Sequence, residues 1–400
     1  MQAYFSTRFT TRFTTRITTI SRAVVLTCLA STAASVQAQG QAKETITIGH
    51  VAATSGAIAH LGKDNENGAR MAVDAVNAKG LVIGGKRYKL VMQAEDDAAD
   101  PKQATTVAQK LVDAKVQGVI GHETSGTSIP ASRIYFDAGI PQISPSASNP
   151  KYTRQGYNTA FRNIANDEQL GAALARYAVQ VGKAKRIAVI DDRTAYGKGL
   201  SDEFIKNVKR LGPGARIVAQ QYTTDKATDF GAILTAVKAS APDLIFFGGM
   251  DAVAGPMLRQ MKQLGLKAGF MGGDGMCSDS VPKLAGDAMA DGQVICAEAG
   301  GIEPRQQQGM DDFRAAYQRR FGIEVLTYAP YAYDAMLVMV EAMRQAGSPD
   351  PARYLPKLAQ IRYQGVTGTV AFDGRGDVKD GVLTIYTFRG GKRQRVTVMK

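Results

Sequence analysis

The chain reads VIGHETSGTSIPASRIYFDAGI over residues 119–140, and this stretch contains most of what decides the fold. A short β-branched strand ends at Gly121, a helix follows, and a glycine opens the next strand. The same order recurs over residues 246–266, FFGGMDAVAGPMLRQMKQLGL, where the strand ends at Gly248. The landmarks keep their spacing to about one residue, and such an internal repeat indicates two similar units.

The first part of the chain alternates in the same way between short strands and amphipathic helices. Thr45 to Val51 has the pattern of a strand, and a helix with apolar residues at spacings of three and four follows and ends at Gly80. This alternation is typical of parallel sheets covered by helices. We therefore predict an α/β protein of two doubly wound parallel-sheet lobes, the first starting near Thr45 and the second near Asp167.

The tail continues neither lobe in a simple way. After Ala297 the pattern predicts two helices, Met310 to Phe321 and Ala329 to Ala346, and then two strands, Gly368 to Phe372 and Val382 to Arg389. These elements must complete one lobe or both.

Composition agrees with more than one core. The chain has 400 residues, of which 44% are hydrophobic and 21% are charged, and this is more chain than a single doubly wound sheet needs. The net charge is +13, but no run of Lys and Arg with interleaved aromatic residues is present, so we expect no nucleic-acid partner.

The N-terminal residues 1–38 have the pattern of a secretory signal peptide. Four arginines precede an uncharged stretch at residues 23–34, and Val36-Gln37-Ala38 offers small residues for cleavage. The alternative is an Arg-rich transit peptide, but a transit peptide lacks the apolar stretch that follows here. We expect a periplasmic protein with cleavage after Ala38. Its net charge falls from +13 to +9 because four arginines are removed.

The cysteines support the same compartment. Cys277 and Cys296 are the two that remain after cleavage. An even pair in an oxidising compartment is more often bridged than free. We expect a Cys277–Cys296 disulfide.

Enzyme signatures are not found in the chain. The loop GHETSGTS has the glycine spacing of a phosphate loop, but Thr127 stands where that motif has lysine. Ser148-Asn149-Pro150-Lys151 has the form S-x-x-K, but the neighbouring prolines prevent the helix that this motif requires. The three histidines are scattered. We expect no catalytic residues, no metal and no cofactor.

Two loops of the first lobe have the chemistry of a carboxylate site. Thr124 to Ser128 follows a strand and opens a helix, so hydroxyls and free backbone N–H groups point out with the positive end of the helix dipole behind them. Ser146 and Ser148 follow the next strand. The alternative is plain helix capping by Ser125 or Ser128, together with an ordinary Pro-Ser turn.

The second lobe offers an acid at the corresponding edge. Its strands end at Met250-Asp251 and at Gly272-Gly273-Asp274-Gly275. An acid between glycines can approach a ligand ammonium closely, although an aspartate in a turn is the simpler interpretation.

Jointly, several motifs resemble the solute-binding proteins of branched-chain amino-acid ABC transporters, the leucine/isoleucine/valine-binding family. The similarity covers nearly the whole chain after the signal peptide and rests on five motifs. These are Asp96-Asp97 with Asp100 to Ala104, Val119 to His122 with its serine-rich loop, Pro145 before the second serine loop, Tyr196-Gly197 with Gly199, and Phe270 to Gly272 before Asp274.

This resemblance implies a type I periplasmic-binding fold, a two-lobed flytrap in which the chain crosses three times between lobes. Lobe 1 would comprise residues 44–164 plus 300–378, and lobe 2 would comprise residues 165–299 plus 379–400. The resemblance also implies a monomer that binds a small amino acid and delivers it to a membrane permease.

Binding roles follow from the resemblance position by position. Ser125 would hold the ligand carboxylate, Ser146 would offer its carbonyl to the ammonium, and Ser148 would contact both ends. Asp274 would close over the ammonium from lobe 2. The remaining residues would cover the ligand or line the space for its side chain: Tyr196, Leu61, Thr124 and Met250.

Three positions differ from the family pattern. Leu61 and Met250 stand where the best-known members have tyrosines, and Asp274 stands where they have the longer glutamate. Two other functions remain open. One is an extracytoplasmic sensor or binding protein for short amides, urea or aromatic acids, because a fold does not fix its ligand. The other is a Rossmann-type oxidoreductase, against which the missing G-x-G-x-x-G motif argues.

Overall fold

A computed structural model of the protein describes residues 44–300 and 306–399. The predicted signal peptide, residues 1–38, lies outside this part of the chain. Within the described part, no helix has both the length and the apolar character needed to cross a bilayer.

Fifteen strands are formed by the described residues. The first eight are β1 Glu44–Ala52, β2 Leu81–Ile83, β3 Lys86–Asp96, β4 Gly118–Gly121, β5 Gln142–Ser144, β6 Ala160–Arg162, β7 Arg186–Asp191 and β8 Arg216–Tyr222. The others are β9 Leu244–Gly248, β10 Gly269–Gly272, β11 Val294–Glu298, β12 Arg362–Gln364, β13 Thr369–Ala371, β14 Leu383–Arg389 and β15 Lys392–Met399.

Eleven α-helices accompany these strands in the described part. The first six are α1 Ala59–Lys79, α2 Pro101–Asp113, α3 Ser125–Asp137, α4 Asp167–Arg176, α5 Ala195–Arg210 and α6 Gly231–Ala239. The others are α7 Asp251–Gln263, α8 Ser280–Ala285, α9 Gln307–Phe321, α10 Ala329–Ala346 and α11 Pro351–Ala359. A 3-10 turn, Asp274–Met276, follows β10.

Thirteen of these strands form two sheets of the same design, and β12 and β13 form a separate antiparallel pair. The first sheet has the order β2-β3-β1-β4-β5-β6 and the second has the order β15-β14-β11-β10-β9-β7-β8. In each of the two sheets five consecutive strands are parallel, and the first of them in chain order lies between the second and the third. This confirms the predicted fold of two doubly wound α/β lobes. We call the first sheet with its helices lobe 1, and the second lobe 2.

Helices cover both faces of each sheet. In lobe 1, α1 and α10 pack on one face, where Ala72 and Met339 lie in one cluster with Ile48 of β1. Leu111 of α2 and Tyr135 of α3 pack on the other face. In lobe 2, α4 and α5 cover one face, and α6 and α7 cover the other. Parallel sheets are stable only when both faces are buried in this way.

The chain passes between the two sheets three times, between β6 and α4, between β11 and α9, and between β13 and β14. Helix α10 therefore returns to lobe 1, where it packs against α1, and β14 returns to lobe 2, where it pairs antiparallel with β11. The tail completes both lobes for this reason. The residue at which each lobe begins and ends stays a prediction.

Local signals explain the well-predicted elements. Asp100 caps α2, because its Oδ1 accepts hydrogen bonds from the backbone N–H groups of Lys102 at 2.8 Å and Gln103 at 2.9 Å, as its position before a proline predicts. The sequence reasoning missed β7 and β11, which are apolar, as well as β15, which is an edge strand rich in exposed charged residues, and the three-residue strands β2, β6 and β12. The edge strand and the three-residue strands lack the alternating apolar pattern by which a strand is recognised.

A disulfide joins Cys277 to Cys296, with a Cα–Cα distance of 5.3 Å. Cys296 lies in β11, and Cys277 follows the turn that contains Asp274. The bond therefore ties the Asp274 turn to the second sheet.

Removing this disulfide should destabilise the protein measurably. The two cysteines are 19 residues apart, and releasing a loop of this length from a cross-link costs about 3 kcal/mol. We expect Cys277→Ser with Cys296→Ser to lower the free energy of unfolding by about this amount, measured by urea denaturation. Reductant should lower the stability of the wild type and leave the double variant unchanged. Equal stability of wild type and variant would contradict this expectation.

Candidate functional site

Both sheets present a crevice at the carboxyl ends of their strands. In a doubly wound sheet there are two neighbouring strands whose following connections lead to opposite sides of the sheet. Ligands bind in the crevice outside the carboxyl ends of these two strands. In lobe 1 this point lies between β1 and β4, and in lobe 2 it lies between β7 and β9. Glu123, Thr124 and Ser125 follow β4, whereas Met250 and Asp251 follow β9.

The first serine loop opens α3 at this crevice. Thr124 is the N-cap residue but makes no side-chain cap hydrogen bond. The Ser125 hydroxyl accepts a hydrogen bond from the backbone N–H of Asn149 at 3.1 Å, and the Ser128 hydroxyl donates to the His122 carbonyl at 2.9 Å. The hydroxyls thus join the loop to its neighbours instead of capping the helix. The first N–H groups of α3 have no acceptor within the helix, as at any helix N-terminus.

The second serine loop lies directly beside the first. The Ser146 hydroxyl donates to the Glu123 carbonyl at 2.7 Å and accepts from the Asn65 side chain at 3.2 Å. Ser148 is fully buried, and its carbonyl accepts from the Asp167 backbone N–H at 2.9 Å, where α4 begins. The structure therefore brings Thr124, Ser125, Ser146 and Ser148 together, as expected from neighbouring strand ends.

Asp274 of lobe 2 is buried between two tyrosines. Its Oδ1 accepts a hydrogen bond from the Tyr196 hydroxyl at 2.8 Å, and its Oδ2 accepts from the Tyr328 hydroxyl at 3.3 Å. The side chain is only 2% exposed, and this burial raises the pKa of Asp274 to about 6, against the opposing effect of the Tyr196 hydrogen bond. A carboxylate held in this way is poised to meet a cation, which would compensate its desolvation.

Gly275 is what lets Tyr196 approach the Asp274 turn. Its backbone N–H donates to the Tyr196 hydroxyl at 2.9 Å. A Cβ at this position would lie 2.6 Å from the Met250 sulfur and 2.8 Å from the Tyr196 ring, and a Cβ at Gly273 would lie 2.6 Å from the Tyr196 hydroxyl oxygen. A side chain at either position would force Tyr196 to move, which explains the glycines on either side of Asp274.

An apolar wall lies beside the polar groups. It is one packed cluster formed by Ala53, Ile58, Leu61 and Tyr328, with the partly buried Met250 against it. Leu61 is 2% exposed. Leu61 and Met250 come from different lobes, and the structure places them in the same cluster.

The two lobes are in direct contact around the site. His60 Nε2 lies 2.7 Å from Asp251 Oδ2, which links α1 of lobe 1 to α7 of lobe 2. The Asn149 amide donates to the Ala195 carbonyl at 2.6 Å. Together with the Tyr328–Asp274 hydrogen bond, these contacts describe a closed arrangement of the lobes.

Sequence reasoning missed three participants. Tyr328 directly precedes α10 in the tail and was assigned to no predicted element. Glu123 lies within the quoted loop GHETSGTS but was assigned no role. His60 was also assigned no role, and it bridges the lobes. The other two histidines, His50 and His122, are buried in hydrogen-bonded networks inside lobe 1.

The chemistry of this arrangement is that of a zwitterion site. The N-terminus of α3 with its hydroxyls suits the negative end of a zwitterion, and the buried Asp274 carboxylate suits its positive end. The apolar cluster lies to one side of these two groups. Within the part of the chain that the structure describes, no cluster of three or more His, Cys, Asp or Glu residues is arranged to hold a metal ion.

Comparisons with known proteins identify the family of this chain. The family model described as a periplasmic binding protein matches residues 45–392. The leucine-, isoleucine-, valine-, threonine- and alanine-binding protein of Pseudomonas aeruginosa is 34% identical over 357 residues, which cover 89% of this chain and 93% of that protein.

Solved structures show the same fold. The branched-chain amino acid transporter substrate-binding protein LivJ of Streptococcus pneumoniae, in complex with isoleucine, superposes with a TM-score of 0.79 at 28% identity and covers 88% of this chain and 99% of its own. A benzoate-bound solute-binding protein of R. palustris has a TM-score of 0.77 at 19% identity and covers 88% and 96%. The similarity to the benzoate-bound protein shows the fold alone. With a family match over nearly all of the described chain, this protein belongs to the periplasmic binding proteins, within the group that contains the leucine/isoleucine/valine-binding proteins of ABC transporters.

Proposed function

We propose that this protein captures a small amino acid, branched-chain or otherwise aliphatic, in the periplasm and delivers it to the permease of an ABC transporter. The observation that carries the proposal is the buried Asp274 carboxylate, held by Tyr196 and Tyr328 across the crevice from the serine loops of lobe 1. The Pseudomonas aeruginosa relative is named as an amino-acid-binding protein and the Streptococcus pneumoniae structure holds isoleucine, which supports this ligand class.

The ligand carboxylate would lie at the start of α3. There it would meet the Ser125 hydroxyl and the first backbone N–H groups of the helix, which favour an anion. Ser146 and Ser148 would add the polar contacts between the two ends of the ligand. Thr124, Leu61 and Met250 would surround its side chain.

The ammonium group would be held from lobe 2. Asp274 would pair with it in a charge-assisted hydrogen bond, and Tyr196 and Tyr328 would keep the carboxylate in place. A neutral amide, urea or an aromatic acid offers no positive charge to Asp274. The carboxylate therefore favours an amino acid over the ligands of the alternative sensor function.

Binding would proceed by hinge closure. The amino acid would first meet lobe 1, and lobe 2 would then close over it, forming contacts that the open state lacks. The closed surface would be what the permease recognises. Solute-binding relatives hold their ligand without converting it, and we assign this protein no enzymatic activity.

One double variant tests the assignment of the site. We expect Ser125→Ala combined with Asp274→Ala to abolish amino-acid binding in isothermal titration calorimetry, because both ends of the zwitterion lose a partner. Circular dichroism would verify that the variant is folded. Unchanged affinity for an amino acid that the wild type binds would remove this site assignment.

Binding should also depend on pH through Asp274. The pKa of Asp274, about 6, lies above the ordinary value of a carboxyl group. Below pH 6 the Asp274 carboxyl group of the ligand-free protein is therefore protonated, and it must lose this proton before it can pair with the ammonium. We expect affinity to be constant between pH 7 and 8 and to fall by up to about tenfold per pH unit below pH 6. Calorimetry at pH 8, 7, 6 and 5 would measure this change. A flat profile down to pH 5 would contradict an ionised Asp274 in the complex.

A further inference from the structure

Glu123 is a buried carboxyl group that the proposed clamp does not use. It lies between the end of β4 and the start of α3, directly before Thr124 and Ser125. Its side chain is in the interior of the crevice, with 3% of the residue exposed. A carboxyl group in such a place is costly unless its oxygens find partners.

The position of this side chain is fixed at one oxygen. Glu123 Oε2 accepts a hydrogen bond from the Ala53 backbone N–H at 2.9 Å, just beyond the end of β1. The Glu123 backbone is also held, since its carbonyl accepts from the Ser146 hydroxyl at 2.7 Å. Helix α1 packs tightly here, because a Cβ at Gly62 would lie 3.0 Å from the same Oε2. The carboxyl group is thus preorganised before any ligand arrives.

The other oxygen has no partner among the described residues. Glu123 Oε1 is buried and makes no hydrogen bond to any of them. Ala53, which holds Oε2, belongs to the apolar wall that also contains Leu61 and Tyr328. An unsatisfied carboxyl oxygen beside the wall of the ligand side chain points to a group on the ligand that completes it.

The protonation of Glu123 narrows the chemistry of that group. Burial raises the pKa of Glu123 well above its ordinary value, and the nearby carboxylates Asp97, Asp64 and Asp251 raise it further, against the hydrogen bond from Ala53. This shift favours the protonated carboxyl group over the carboxylate. A protonated carboxyl group pairs best with a hydroxyl or amide, which can both donate and accept.

We propose that Glu123 selects amino acids of aliphatic size whose side chain carries a neutral hydrogen-bonding group, a hydroxyl or a primary amide. This inference rests on the proposed amino-acid clamp and departs from a purely aliphatic ligand, because the apolar wall sets the size of the side chain and Glu123 sets its polarity. A purely aliphatic side chain would cover Glu123 Oε1 and leave it unsatisfied. Sites that hydrogen-bond a ligand hydroxyl discriminate against the analogue that lacks it.

Two nearly isosteric pairs of amino acids test this proposal. Calorimetry with the wild type should show one of two preferences: threonine binds about tenfold or more tightly than valine, or asparagine binds about tenfold or more tightly than leucine. In neither pair should the apolar amino acid bind more tightly. Glu123→Leu should reverse the preference toward valine and leucine, since the polar group would then be desolvated without a partner. Glu123→Gln can keep its amide oxygen on the Ala53 N–H and places an NH2 donor where Oε1 stands, so it should keep the order of the wild type. Circular dichroism would verify that both variants are folded.

The outcomes that overturn the proposal are distinct. Tighter binding of valine and leucine by the wild type would overturn this inference and leave the proposed function standing. So would the same affinity ratios in wild type and Glu123→Leu. Tightest binding of 2,4-diaminobutyrate, lost in Glu123→Gln, would show an ionised Glu123 that pairs with a cation. If the wild type bound no amino acid at all, the proposed function itself would fail.

Discussion

Replacing Asp274 with asparagine is expected to weaken amino-acid binding at pH 7 by about 30-fold or more. Removing one partner of a buried, hydrogen-bonded charge pair costs about 2 to 5 kcal/mol of binding free energy, and about 1.4 kcal/mol corresponds to a factor of ten. Asp274 is 2% exposed and accepts from two tyrosines. The amide keeps the size of the side chain but cannot neutralise the ammonium. Isothermal titration calorimetry would measure the loss.

The matched control is the same substitution at an exposed site of lobe 2. Asp202 pairs with Lys198 one turn away on the surface of α5, and its side chain is 59% exposed. Asp202→Asn should leave the affinity unchanged, because exposed pairs of this kind contribute little. Asp274→Asn should also abolish the loss of affinity below pH 6. Wild-type affinity in Asp274→Asn would exclude this carboxylate as the ammonium partner.

Replacing Asp377 with alanine is expected to lower the free energy of unfolding by about 3 kcal/mol, through the loss of a buried ion pair. Arg162 is fully buried, and its Nε donates to Asp377 Oδ1 at 2.6 Å. Asp377 also accepts from Thr153 at 2.8 Å and from Asn166 at 3.0 Å. Burial alone would raise the pKa of Asp377, but the Arg162 guanidinium and these hydrogen bonds hold it below its ordinary value.

This ion pair connects two of the passages between the lobes. Asn166 precedes α4, and Asp377 lies between β13 and β14. Asp377→Ala would leave the Arg162 guanidinium buried without a counter-charge, which is the costly way to break such a pair. Urea denaturation without ligand would measure the change.

Asp137 offers a control with similar geometry on the surface. Its Oδ2 lies 2.7 Å from Arg133 Nε, and the two side chains are 54% and 63% exposed. Asp137→Ala should change the free energy of unfolding by less than about 1 kcal/mol. Equal stability changes in Asp377→Ala and Asp137→Ala would show that the buried pair has no special role.

The fold was predictable because short segments of the sequence alternate between the apolar pattern of strands and that of helices. Each strand end is marked by a glycine or a turn, and the repeat of the 119–140 pattern at 246–266 indicates the second lobe. The apolar strands β7 and β11 were missed although their sequences carry a strand pattern, whereas other missed elements have none. The strand β15 is polar and lies at a sheet edge, so its place depends on pairing with β14 rather than on apolar alternation.

The candidate site was predictable where parallel strand ends bring loops together. Thr124, Ser125 and Ser146 follow neighbouring strands, so their proximity follows from the topology. Tyr328 was not predictable, because it reaches Asp274 only through the return of the tail to lobe 1. Glu123 was visible in the sequence, but its burial and its unsatisfied oxygen depend on the packing of β1 and α1. The binding roles of all these residues stay predictions.

The central claim is that the two lobes close on a small amino acid. The most direct measurement is a thermal-shift screen of residues 39–400 against amino acids, amides and nucleotides. A ligand at about 100 times its dissociation constant adds roughly 2.7 kcal/mol to the stability of the folded state. We predict a clear upward shift of the melting temperature with at least one small amino acid and none with nucleotides. No shift with any amino acid, together with a shift for an amide or a nucleotide, would contradict the account.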